Sequence, residues 1–156
     1  MSAQGADQEA YDINQRLALV CIDDADRKAE VSAAVQELGY RPQFGENPAH
    51  VLDRIRKNSY EVVVVDEAFQ GSSPQDHPVL KHLQWMPMTL RRYVFVALLG
   101  PELKTYDNMT AFSRSVNLVV NYNDVAQIKP ILQRGIADND QFYRVLRQVL
   151  QEAGKR

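Results

Sequence analysis

The sequence has one cysteine, little net charge and no apolar run long enough to cross a membrane, and each shortage removes a class of protein. Cys21 stands alone in an apolar stretch, which excludes a disulfide framework within the chain and a zinc knuckle built from paired cysteines. It suits a small buried side chain in a reducing compartment. A formal net charge of -2 gives no broad basic field of the kind that drives phosphate-backbone binding, so nucleic acid is not an expected partner. The opening MSAQGADQEAYDINQ lacks the charged and apolar regions of a signal peptide, and the expected location is cytoplasmic, with no membrane partner. GxGxxG, Walker A, GxSxG and HExxH signatures are all missing, as are internal repeats and low-complexity tracts. What is present, 156 residues at 45% hydrophobic and 24% charged, fits one compact domain. Residues 1–15 are expected to form a flexible tail or linker, and 16–156 the domain.

Apolar runs of strand length alternate with segments of helical period, the pattern of a parallel sheet with helices on both faces. LALVCI from Leu17 reads as the first strand, followed by a helix with Val31, Ala34, Val35 and Leu38 on one stripe and Gly39 at its end. A short strand near Arg41 to Phe44 leads to a helix with Pro48 in its first turn and Val51, Leu52 and Ile55 inward, stopping near Asn58. EVVVVDEAF holds four consecutive valines, as expected of a strand buried on both faces at the sheet centre. The loop QGSSPQD then precedes a short helix around Pro78 to Trp85, and YVFVALL from Tyr93 is the fourth strand. A small helix around Asn108 to Ser115 precedes the fifth strand, NLVV. The remainder reads as two helical segments. One starts near Asp124, with Val125, Ile128 and Leu132 inward and a bend or early stop at Pro130; the other carries Phe142, Val145, Leu146, Val149 and Leu150 on one stripe. The expected fold class is α/β: a flavodoxin-like, doubly wound, five-stranded parallel sheet of order 2-1-3-4-5 with an extra C-terminal helix. Its ligand crevice would lie at the switch between the first and third strands.

That topology brings Asp23 and Asp24, after the first strand, beside Asp66, which ends the third. Three like charges are tolerable if a carboxyl stays protonated, if amides and solvent stabilise them, or if a hard cation such as Mg²⁺ binds. The same residues have plainer readings: Asp24 or Asp26 as a helix cap or first-turn charge, and Asp66 as an acceptor for the loop that follows it.

The run CIDDADR, the helix ending ELGY and the stretch ENPAHVLDRIRKNSYEVVVVDEAF resemble the receiver domain of response regulators over roughly Leu17 to Leu132. The resemblance implies Asp66 as the phosphoacceptor position. It implies Asp23 and Asp24 as the acidic pair that helps hold Mg²⁺, and the carbonyl of Ala68 in the place of a backbone metal ligand.

The resemblance fails where a receiver transmits its signal. Its threonine or serine at the end of the fourth strand is replaced by Leu99, followed by Gly100, and neither carries a hydroxyl. Its lysine and proline at the end of the fifth strand are replaced by Asn121 and Tyr122, and its aromatic switch by Leu118. Thr105 is too far along to stand in, and Lys129 lies eight residues beyond Asn121 in a helical pattern, where a solvated face is the ordinary role. Phosphoryl transfer depends on positioned charge, and losing one such contact typically costs about 3 kcal/mol in the transition state.

His50, His77 and His82 share no metal spacing and are expected at the surface. Arg91 and Arg92 with Trp85, Met86 and Met88 read either as a partner surface or as packing against the sheet. The C-terminal stripe must be covered by the domain itself or by a second chain, and receivers commonly pair through their last helices. The expectation is a degenerate receiver-like module acting through protein–protein interaction with a partner or neighbouring domain, possible as a homodimer, requiring no cofactor and not an enzyme. The alternative is a Mg²⁺-dependent phosphoacceptor receiver modified on Asp66 with an unconventional readout.

Overall fold

A computed structural model describes residues 16–154. The expected tail, residues 1–15, lies outside the described residues, as do the last two. Five strands form one parallel sheet in the order β2-β1-β3-β4-β5. They are β1 (Leu17–Cys21), β2 (Arg41–Phe44), β3 (Val62–Asp66), β4 (Phe95–Gly100) and β5 (Leu118–Asn121). The helices are α1 (Ala25–Glu37), α2 (Pro48–Lys57), α3 (Pro78–Gln84), α4 (Met88–Arg91), α5 (Asn108–Ser113) and α6 (Ile128–Glu152). This is the sheet order and layering expected from the alternating pattern.

Each boundary has a local cause. Asp24 caps α1 by accepting the N–H of Arg27, and Gly39 leaves that helix at φ 97°, a left-handed conformation that a side chain would resist. Asn47 caps α2 by accepting from the N–H of His50, and Pro48 sits where no intrahelical N–H is needed.

The sheet divides two cores by the two-residue period of its strands. Val62 and Val64 of β3 join Val31 and Val35 of α1 and Leu132 of α6 on one face. Val63 and Val65 join Val51 of α2, Leu83 of α3 and Ala111 of α5 on the other. Cys21 is fully buried in the second core and unpaired, and burial pushes its thiol pKa up. Phe95 crowds the path of α6 at Gly135: a Cβ there would lie 2.9 Å from the end of the Phe95 ring, so glycine lets helix and sheet approach without displacing that ring.

For the C-terminal region one expectation is corrected and one of two open alternatives falls away. A 3₁₀ helix covers Tyr122–Gln127, and α6 then runs unbroken for 25 residues, about 37 Å at about 1.5 Å per residue. Pro130 is the third residue of α6, in the first turn, where its missing N–H breaks no hydrogen bond, so it neither bends nor shortens the helix. The distal stripe is not covered by the domain: Phe142 and Val149 are 61% and 53% exposed, and Val145, Leu146 and Leu150 are also exposed. Among the described residues, no helix is long and apolar enough to cross a membrane.

Candidate functional site

Parallel strands carry the ends of β1 and β3 to one edge of the sheet, and the chain leaves β1 toward β2 while β3 lies on its other side. Asp66 closes β3 there. The two-residue period gives it the face of Val62 and Val64, under α1 and the start of α6, and it is only 2% exposed. Its neighbour Glu67 serves the opposite face, where it pairs with Arg114 at 2.8 Å. A Cβ on Gly100 would fall 2.1 Å from the Glu67 carboxylate, so that glycine makes room for this pair.

Both oxygens of the Asp66 carboxylate are occupied. Oδ1 accepts from the Ala68 N–H at 2.9 Å and from the Tyr122 hydroxyl at 2.5 Å. Oδ2 accepts from Nε and Nη2 of Arg27 at 3.3 and 3.2 Å. The Arg27 guanidinium lies over the Tyr122 ring, 3.8 Å from its centroid, so one cation serves a carboxylate and an aromatic face together. Burial first, then the hydrogen bond to Asp66 and its negative charge, push the Tyr122 phenol pKa up, which keeps it a proton donor.

Each of the three carboxylates has its own local donors. Asp24 is committed to the α1 cap, with Arg27 Nη1 3.9 Å away. Asp23 accepts from the backbone and side-chain amides of Gln70, both at 2.7 Å, and so holds Gln70 in a left-handed conformation (φ 52°, ψ 46°). The Ala68 carbonyl accepts from the Gly71 N–H at 3.2 Å. Among the described residues, no three His, Cys, Asp or Glu side chains form a group that could hold a metal ion. In this structure Asp23, Asp24, Asp66 and the Ala68 carbonyl, the residues the resemblance names for a metal, each accept hydrogen bonds from the protein instead. Sequence order brought these residues to one edge, but local hydrogen bonds turned each donor to a different task.

No family model matches the chain, and no curated protein matches it. Solved structures do. A response regulator receiver domain (CheY-like) from Methylobacillus flagellatus superposes with a TM-score of 0.57 at 17% identity, covering 77% of this chain and 98% of that one. A response regulator from Thermotoga maritima gives 0.59 at 12% identity, with 79% and 98% covered. A pilus assembly-related protein from Burkholderia pseudomallei gives 0.56 at 19%, with 79% and 90% covered. The chain has the fold of a response-regulator receiver domain.

Set on the receiver fold, the replaced positions become concrete. Leu99 lies opposite Asp66 in the β3–β4 register, is fully buried, and joins Leu118 in the core below the pocket. Asn121 turns away from Asp66. Its amide donates to the carbonyls of Pro101 and Leu103 at 3.1 and 2.7 Å, and its Oδ1 accepts from the Asn123 N–H at 2.8 Å. Thr105 belongs to that same junction: its hydroxyl donates to Asp124 at 2.6 Å and accepts from the Asn121 N–H at 2.9 Å. Lys129 pairs with Glu37 at 3.5 Å, on the solvated contact of α1 and α6.

Sequence reasoning missed Arg27, Tyr122 and His77. The arginine three residues after a capping aspartate was a readable sign, because the cap fixes the first turn and thereby aims its side chains. His77, expected at the surface, is buried. Its Nδ1 accepts from the Leu80 N–H at 3.3 Å, which leaves Nε2 to donate to the Asp66 carbonyl at 2.9 Å. Burial lowers its pKa, in keeping with a neutral ring. The grouping of Arg91 with Trp85 and Met88 also comes apart. Arg91 bonds inward to the carbonyls of Val94 and Ser115 and to Asn117, while Trp85 and Met88 remain exposed.

Proposed function

We propose that this chain is a degenerate receiver-like signalling module that acts by protein–protein contact and has no efficient phosphoryl switch. The observation that carries this reading is the saturation of Asp66: four donors on two oxygens, with Arg27 and Tyr122 supplying three of them. A buried carboxylate so engaged presents no free lone pair to an incoming phosphoryl group. The apolar Leu99 and Leu118 and the diverted Asn121 remove the family's hydroxyl, aromatic and cationic readout. In this reading the chain is not an enzyme, needs no cofactor and works in the cytoplasm. Its partner is a protein or neighbouring domain, and the exposed stripe of α6 is a surface for it, with a second copy as one such partner.

Incubation of the full chain with acetyl phosphate and Mg²⁺, followed by intact-mass spectrometry, tests the reading. The expected result is no added phosphoryl group. A stable adduct lost in Asp66→Asn would instead establish a Mg²⁺-dependent phosphoacceptor with an unconventional readout.

A further inference from the structure

We infer that Arg27 is the resident cation of this pocket, a covalently tethered charge standing where a receiver takes a divalent metal ion, and that it excludes such ions from Asp66. The inference rests on the reading of Asp66 as a site that takes no phosphoryl group, and deepens it by naming what holds the site closed.

A carboxylate 2% exposed needs a nearby positive charge or a proton. Arg27 is the cation bonded to it, whereas Arg114 is engaged by Glu67 and Lys129 by Glu37. Three contacts aim the guanidinium. The Asp24 cap fixes the turn that bears it, the Tyr122 ring lies beneath it, and Asp66 accepts two of its N–H groups. A planar fork can donate in its plane while stacking on its face, which an ammonium cannot do. The other oxygens a metal would need are committed as well, with Asp23 on Gln70 and the Ala68 carbonyl on Gly71.

The tether changes the behaviour of the site. A bound metal comes and goes with its concentration, whereas Arg27 does not dissociate, so the pocket stays neutralised in one arrangement. Because Arg27 comes from α1, Asp66 from β3 and Tyr122 from the turn into α6, the same contact joins both helices of one sheet face to the central strand.

The test is a Mn²⁺ titration of the full chain followed by paramagnetic broadening of backbone amide signals, with melting temperature measured in millimolar Mg²⁺. The wild type is expected to show no saturable broadening around Asp23 and Asp66, and a melting temperature that Mg²⁺ does not move. Arg27→Gln is expected to gain saturable broadening centred there and to be stabilised by Mg²⁺, since a ligand of the folded state raises its melting point. Arg27→Lys, which keeps the charge, is expected to remain unresponsive. Saturable Mn²⁺ binding at Asp66 in the wild type overturns the inference whether or not the variants fold, and so does a folded Arg27→Gln that responds to neither ion. Either failure with Asp66 still unlabelled by acetyl phosphate leaves the proposed function standing. Labelling of a wild type blind to divalent ions sinks the proposed function and retains Arg27 as the resident cation.

Discussion

Arg27 and Tyr122 meet face to face above Asp66, with the guanidinium carbon 3.8 Å from the ring centroid and both side chains donating to the same carboxylate. The three residues come from α1, from the turn after β5 and from the end of β3, far apart in sequence, so each holds the other two in place. Removing one member therefore exposes the needs of the others.

Arg27→Ala leaves Asp66 buried without its cation, and breaking a buried pair in this way costs about 3 kcal/mol. Urea unfolding at neutral pH should show a lower midpoint with an unchanged slope. The double change Arg27→Ala with Asp66→Asn should recover part of the loss, because no uncompensated charge remains.

Tyr122→Phe keeps the ring under the guanidinium and deletes only the hydroxyl that Oδ1 accepts. The expected loss is about 1.5 kcal/mol, the scale for a hydrogen bond to a charged group. Tyr122→Ala, which also removes the stacked face, should lose more in the same unfolding assay.

Acid should weaken the fold through His77. Burial holds its folded pKa below the usual 6.5, so between those values the unfolded chain binds the extra proton. Its contribution is complete above the unfolded pKa and is lost as pH falls from there through the folded pKa. Unfolding midpoints measured from pH 7.5 down to about pH 5 should decline in the wild type. The slope should be shallower in His77→Gln, which does not titrate.

Gly100→Ala places a methyl group 2.1 Å from Glu67 Oε1 and 2.7 Å from its Cδ, so the carboxylate must leave Arg114 or the strand must shift. Overpacking of this kind costs about 1–3 kcal/mol, and thermal melting of the variant should show it.

On α6, Val149→Glu changes a residue that is 53% exposed and is a member of neither core. Helicity and melting temperature should stay near wild type, within about 0.5 kcal/mol. If the stripe is a contact surface, self-association or partner capture measured by sedimentation should fall. Unaltered association would move the contact to another face.

Sequence alone determined the sheet. Alternation of β-branched runs with helical stripes placed five strands and most of their helices, though not the short α4 or the single long α6, and the unbroken run Val62 to Val65 put β3 at the centre, because a strand buried on both faces has no polar positions to spare. That Leu99, Leu118 and Asn121 carry no hydroxyl, aromatic ring or ammonium was equally legible, since a group absent from the sequence is absent in any conformation. Only tertiary structure decided what fills the pocket. Arg27 and Tyr122 lie 95 positions apart, and although the Asp24 cap places Arg27 in the first turn, nothing local shows that a buried carboxylate and an aromatic ring will meet it there. Pro130 shows the same limit, because a proline breaks a helix or begins one according to where the first turn falls, and here a 3₁₀ turn over Tyr122–Gln127 puts the start of α6 at Ile128. Which donor a carboxylate accepts from depends on distances of a few ångströms between elements, and those exist only once the sheet has formed.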